Sequence, residues 1–312
     1  MSDLVLCECF ARDGLQHEAG FVATPDKLRL LQDFARLGFA RIEATSYANP
    51  AIIPQFRDAD VVLRGLPRPA GVTWSATCPN LRGVERALQD RAAGTGVDEL
   101  CLLVSATDAH SQRNLKQPRE AQWKHVAEMT AAARADFALC GVISVAFGCP
   151  FEGPVDPGVV HRDIERFAGL GVRRITLGDT VGMATPPTIR AMFSRLVRDY
   201  PDLHFIAHCH DTRGTGLANY LAALESGVRW FDSSFGGAGG HPAAIEYGGG
   251  YTGNVCTEDW IDLLETMGVA TGIDLAQLIP IAHACEEVLG RKLNGRVTRS
   301  GLNPLKQARS EK

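Results

Sequence analysis

Basic residues are not in excess. The 32 Lys and Arg stand against 36 Asp and Glu, a formal net charge of −4, so the electrostatic footprint of a nucleic-acid binder is missing. Long apolar runs are missing too: no stretch nears the roughly 20 residues that cross a bilayer. The start, MSDLVLCECF, has an acid at position 3 and no basic segment of a secretory leader. The 9 cysteines are odd in number and never form a CxxC pair, which argues against a disulfide framework. Together these absences predict a soluble, cytoplasmic protein with reduced thiols, no nucleic-acid partner and no membrane partner. No GxGxxG follows the first apolar run, which weakens a dinucleotide-binding open sheet. No linker rich in Pro, Gly or Ser divides the chain.

What is present is a repeated alternation. Hydrophobic residues make up 45% of 312, enough for one large core. Eight short apolar runs read as strands: LVLCECF (4–10), ARIEAT (40–45), VTWSAT (72–77), ELCLLVS (99–105), GVISVAF (141–147), RRITLGD (173–179), HFIAHCH (204–210) and RWFDSS (229–234). Near-continuous apolar strands suit a parallel sheet covered on both faces. Helical patterns lie between them. PDKLRLLQDFARLG has Thr24 as its expected N-cap, Pro25 at the first helical position and Gly38 as its stop. PREAQWKHVAEMTAAARAD and ANYLAALESG carry amphipathic spacing. Eight strand–helix units predict a single-domain α/β (β/α)8 TIM barrel over about residues 3–270. An additional helix (274–289) and a basic tail fill about 271–312; the tail reads as a partly disordered end.

In such a barrel the active site lies where the strands run out into loops. Strand ends here carry Arg12-Asp13-Gly14-Leu15-Gln16, Glu43, Asp179, His208-Cys209-His210-Asp211 and Asp232-Ser233-Ser234. A glycine-dense segment follows, from Gly236 to Gly253. Because a strand alternates faces, His208 and His210 point the same way. Two neutral imidazoles that lean on one atom suit a divalent cation. Asp13 can add a carboxylate and Asn254 a carbonyl oxygen. Mixed nitrogen and oxygen ligands admit Mg²⁺, Mn²⁺, Co²⁺ or Zn²⁺ and do not choose among them.

The motifs ARDGLQHE (11–18), IEATSY (42–47), FGCPFEG (147–153), LGDTVGMATP (177–186), HCHDTRGTGLAN (208–219), DSSFGGAGGHP (232–242) and GNVCTED (253–259) run in order along the chain. Together they resemble hydroxymethylglutaryl-CoA lyase and the metal-dependent TIM-barrel lyases and condensing enzymes related to it. The resemblance implies metal ligands at Asp13, His208, His210 and Asn254, with Mg²⁺ or Mn²⁺ ahead of Zn²⁺ or Co²⁺. It implies a catalytic arginine at Arg12, acidic active-site positions at Glu43 and Asp179, a loop glutamate at Glu258, an acyl-CoA thioester substrate and a homodimer. It also gives the tail the look of the family's ordinary C-terminus.

The chemistry expected is cleavage of a carbon–carbon bond beside a hydroxyl-bearing carbon of a 3-hydroxy-acyl-CoA, giving an acyl-CoA such as acetyl-CoA and a keto acid or ketone. Arg12 would steady the enolate, Asp179 or His208 would take the hydroxyl proton, and Gln16 and Glu43 would help bind substrate or orient Arg12. Condensation on the same barrel, an aldolase, or a silent acyl-ligand binder are the alternatives. Cys149 reads as a packed thiol. The lyase pattern has a loop cysteine as proton donor; this chain has His241 there, followed by extra glycines and Tyr247. His241 is the expected substitute acid, since an imidazole titrates near neutral pH.

Overall fold

The computed structural model describes residues 4–240 and 252–306. Eight parallel strands close into a barrel in chain order: β1 (Val5–Glu8), β2 (Arg41–Ser46), β3 (Thr73–Cys78), β4 (Glu99–Ser105), β5 (Ala138–Ser144), β6 (Arg174–Asp179), β7 (His204–Cys209) and β8 (Trp230–Ser233). Closure comes from β1 pairing with both β2 and β8, with Leu6 opposite Phe231. Helices cover the outside, and the strand residues that face them join one continuous apolar core. The predicted (β/α)8 architecture is therefore present, with all eight strands close to their expected places.

The differences have local causes. The first strand stops at Glu8 because the chain turns into a wide helical loop, Phe10–Gly14, in which the Gly14 N–H reaches back to the Cys9 carbonyl at 3.2 Å. The fifth strand starts and ends three residues early. Val145 takes φ +53°, and its N–H bonds to Thr180 Oγ1 at 2.9 Å instead of continuing the ladder. Helix Thr24–Leu37 has Ala23, not Thr24, as its N-cap; the Thr24 hydroxyl donates to Asp58 Oδ2 across to the next unit. Gly38 does end that helix, at φ +112°.

The additional helix is Leu275–Leu289. Beyond it the basic segment is docked as far as residue 306, where a partly disordered end was expected; residues 307–312 lie outside the described residues. Val297 and Arg296 donate backbone N–H bonds to Asp259, Thr298 Oγ1 donates to Glu258, and Leu293 and Val297 are buried. Buried partners on helix Thr257–Thr266 explain the order, and a basic composition alone does not reveal them. Among the described residues no helix is long and apolar enough to cross a membrane.

Candidate active site

The ends of the strands open on a cavity of about 680 Å³. Its wall includes Arg12, Asp13, Gln16, Glu43, His208 and His210, so six of the expected site residues meet in one place. The wide turn after β1 is the device that presents Arg12 and Asp13 side by side; such wide turns recur at functional sites.

Asp13, His208 and His210 form the centre. Asp13 Oδ2 lies 3.6 Å from His208 Nε2 and 3.8 Å from His210 Nε2, and the two Nε2 atoms are 3.3 Å apart. The outer ring nitrogens decide the tautomers. His208 Nδ1 faces Asp232 Oδ2 at 3.2 Å, and His210 Nδ1 faces the Thr252 carbonyl oxygen. Both partners can only accept, so both protons sit on Nδ1 and both Nε2 atoms of the neutral rings present lone pairs. In that neutral form two lone pairs and a carboxylate oxygen crowd together, which only positive charge between them relieves: a second proton on His208 Nε2 or a metal ion. Burial opposes charge on His208, yet the hydrogen bonds and charges of Asp13 and Asp232 lift its imidazole to about 10. Burial likewise pushes the Asp13 carboxyl up, but Arg12 and the two histidines hold it well below the usual carboxylate range. The donor set fits a divalent cation at the spot that these three side chains share.

Arg12 is clamped from two sides. One guanidinium nitrogen pairs with Asp13 Oδ1 at 2.8 Å and the other with Glu43 Oε2 at 2.7 Å. Thr77 Oγ1 donates to the remaining Glu43 oxygen at 2.6 Å. Arg12 Nε is buried and has no hydrogen-bond partner among the described residues. A fixed cation with N–H donors to spare is suited to an oxygen on which negative charge develops.

Three expectations change. Asn254 comes to the cluster, but with its amide nitrogen: Nδ2 donates to Asp13 Oδ2 at 2.7 Å and to the Ala238 carbonyl at 2.9 Å. It fastens Asp13, where a carbonyl ligand was expected. Asp179 is not on the cavity wall. Gly178 pairs with His208 and Asp179 with Cys209, so Gly178 faces inward while Asp179 turns toward the helices. Its Oδ1 accepts the N–H groups of Met183 and Ala184 at 2.8 and 3.0 Å, Oδ2 has no partner among the described residues, and burial raises the carboxyl to about 6. Glu258, expected in a loop near Asn254, lies in a helix. It is buried near the start of helix Thr257–Thr266, accepting from Gly236 N and Thr298 Oγ1.

Cys149 is a packed thiol that accepts from Thr107 Oγ1 and Phe151 N. Cys256 is buried, and that burial holds its thiol well above the ordinary value. His241 and Tyr247 lie outside the described residues.

Sequence reading missed Arg41 and named Asp232 only as a strand-end residue without a task. Arg41 and Asp232 line the same cavity beneath Glu43 and His208. Strand alternation carried the signal, since Arg41 shares a face with Glu43.

Fold and centre together define a TIM-barrel enzyme with a candidate metal site at the strand ends. The chain matches the HMGL-like family model over residues 3–284. It is 37% identical over 286 residues to the hydroxymethylglutaryl-CoA lyase YngG of Bacillus subtilis, covering 91% of this chain and 93% of that one. It is 34% identical to the human mitochondrial hydroxymethylglutaryl-CoA lyase, covering 95% and 88%. An HMG-CoA lyase from Acinetobacter baumannii, solved with coenzyme A and 3-methylmalate, superposes with a TM-score of 0.91 at 35% identity over 97% of each chain. The protein belongs to the HMGL-like family. A carboxyl transferase domain of Rhizobium etli pyruvate carboxylase, at 17% identity and TM-score 0.70, shares the fold alone.

Proposed function

We propose that the protein is a divalent-metal-dependent carbon–carbon lyase that cleaves a 3-hydroxy-acyl-CoA, with hydroxymethylglutaryl-CoA the first substrate to try. The observation that carries this is the convergence of Asp13, His208 and His210 on one point beside the clamped Arg12. Relatives named as HMG-CoA lyases over nearly the whole chain support cleavage over condensation.

Asp13, His208 and His210 would hold the cation, with Asn254 beside them. Bound there, Mg²⁺ or Mn²⁺ would acidify the substrate hydroxyl and fix its position. A His208 that spends Nε2 on the cation and Nδ1 on Asp232 has no nitrogen left to act as base. Asp179 is the better acceptor for the hydroxyl proton: its carboxyl is raised to about 6 and one oxygen has no partner among the described residues. Asp179 turns toward the helices, so the proton would need a water to carry it from the hydroxyl. The alkoxide collapses to a carbonyl, the carbon–carbon bond breaks, and the electron pair passes to the thioester as an enolate. Arg12 meets the charge on the thioester oxygen through guanidinium N–H groups not spent on Asp13 and Glu43, held in place by Glu43. His241 returns a proton to the enolate carbon.

The test is incubation with Mn²⁺ or Mg²⁺ and a panel of 3-hydroxy-acyl-CoAs, with products read by mass spectrometry. Metal-dependent release of acetyl-CoA and a keto acid is expected. Formation of hydroxyacyl-CoA from a keto acid and acetyl-CoA, without cleavage, would overturn the assignment. In the pH profile, an acceptor near 6 makes kcat/KM rise as pH increases through about 6 and level off above it, because the carboxylate is the working form. Asp179→Asn should remove that limb; a limb that survives assigns the proton to another group. Turnover unchanged in His241→Ala would remove the histidine from the scheme.

A further inference from the structure

Asp232 and Arg41 belong to neither the expected ligand set nor the clamp around Arg12, yet they sit directly under it. Asp232 is buried on the inner face of β8, and its two oxygens are divided between two jobs. Oδ2 accepts the Nδ1–H of His208 at 3.2 Å; Oδ1 accepts Arg41 at 2.9 Å. Arg41, on the inner face of β2, is buried and donates through Nε to Glu99 Oε1 at 2.7 Å. Glu99, at the start of β4, takes its second bond from Arg174 on β6. An alternating file of charges thus runs down the barrel interior, where side chains of apolar layers usually pack.

Such a file is costly to bury unless every member is paired, and here each is. Its upper end is the informative one. A carboxylate on the far nitrogen of a metal-binding imidazole fixes the tautomer and the ring plane and makes the other nitrogen a better donor. We infer that Asp232 is a positioning residue of the metal centre, aiming His208 Nε2 at the point shared with Asp13 and His210, and that Arg41 holds Asp232 in that setting from below. The inference rests on the cation site of the proposed lyase. It adds the interior of the barrel to the machinery, and it assigns a task to two residues that touch neither the cation nor the reacting carbon.

The test reads metal affinity in the absence of substrate, by titrating the chelator-treated protein with Mn²⁺ and following free Mn²⁺ by electron paramagnetic resonance. The wild-type protein is expected to bind one Mn²⁺, and His208→Ala to lose it; failure of both would remove the metal-site reading itself. Asp232→Asn keeps shape and removes the charge. It is expected to raise the Mn²⁺ Kd by about 10- to 100-fold. Because that variant leaves Arg41 short of a partner, the double variant Asp232→Asn/Arg41→Met is measured beside it. With Arg174 still on Glu99 it is expected to fold and to show the same loss. A folded variant of either kind whose Mn²⁺ Kd stays within about threefold of a metal-binding wild type would overturn the inference and leave Asp232 as a structural ion-pair partner.

Discussion

His208 and His210 present the same atom to the same point, but different parts of the molecule hold them. His208 is aimed by Asp232, a strand residue braced by Arg41 on another strand. His210 is aimed by the backbone carbonyl of Thr252, where the chain returns from the glycine-dense segment. That return is stitched to the end of β7: Asp211 N bonds to the Gly253 carbonyl at 2.7 Å, and Asn254 reaches Asp13. One imidazole therefore reports the barrel and the other reports the loop. The lesson is that loop position is part of the metal geometry, so anything that shifts residues 252–254 changes a ligand as well as a cover over the cavity.

The largest effect separates neither side. Asp13→Ala removes the atom both imidazoles face and strips Arg12 and Asn254 of a partner. It is expected to abolish Mn²⁺ binding and to cut kcat/KM by far more than the roughly 100-fold that bounds outer positions; steady-state kinetics with a Mn²⁺ titration check both. On the loop side, Gly239→Ala is the sharpest probe. Gly239 has φ +150°, and a Cβ there would stand 2.2 Å from Asn254 Nδ2. The variant is expected to weaken Mn²⁺ binding about tenfold or more while thermal unfolding of the metal-free barrel shifts little. If the unfolding temperature drops and affinity does not, the division between barrel and loop fails.

Glu43→Gln tests the arginine clamp apart from the cation. Arg12 keeps Asp13 but loses its second carboxylate, and misplacement of this kind can cost about 100-fold in rate. The expected result is a fall in kcat of about 10- to 100-fold with the Mn²⁺ Kd nearly unchanged. The smallest effect on the site is expected from Thr298→Val, which breaks the bond to Glu258 that ties the C-terminal segment beneath Gly236. It should cost about 1–3 kcal/mol of stability by chemical denaturation, with kcat and metal affinity close to wild type.

Much of this was legible from residue order. Eight apolar runs at regular spacing fixed the barrel, and strand-end position picked out Arg12, Asp13, Glu43, His208 and His210. Alternation within strands was used for the two histidines but not applied to β6, which is why Asp179 was expected on the wall when its neighbour Gly178 is there. The same rule, carried one step inward from Glu43, reaches Arg41. Other features have no local signal. The Ala23 cap depends on Asp58 drawing Thr24 away, and the docked tail depends on buried acids in a distant helix. The amide face that Asn254 turns to Asp13 depends on the Ala238 carbonyl beside it.

The metal centre stands or falls on Asp13, in the turn after β1, and His208 and His210, at the end of β7, meeting at one cation. Anomalous diffraction from crystals grown with Mn²⁺ tests it most directly. A single strong peak is expected within about 2.0–2.3 Å of His208 Nε2, His210 Nε2 and an Asp13 oxygen, the range of ordinary metal–ligand bonds. A peak elsewhere, or none at this point in protein that binds Mn²⁺ in solution, would contradict it.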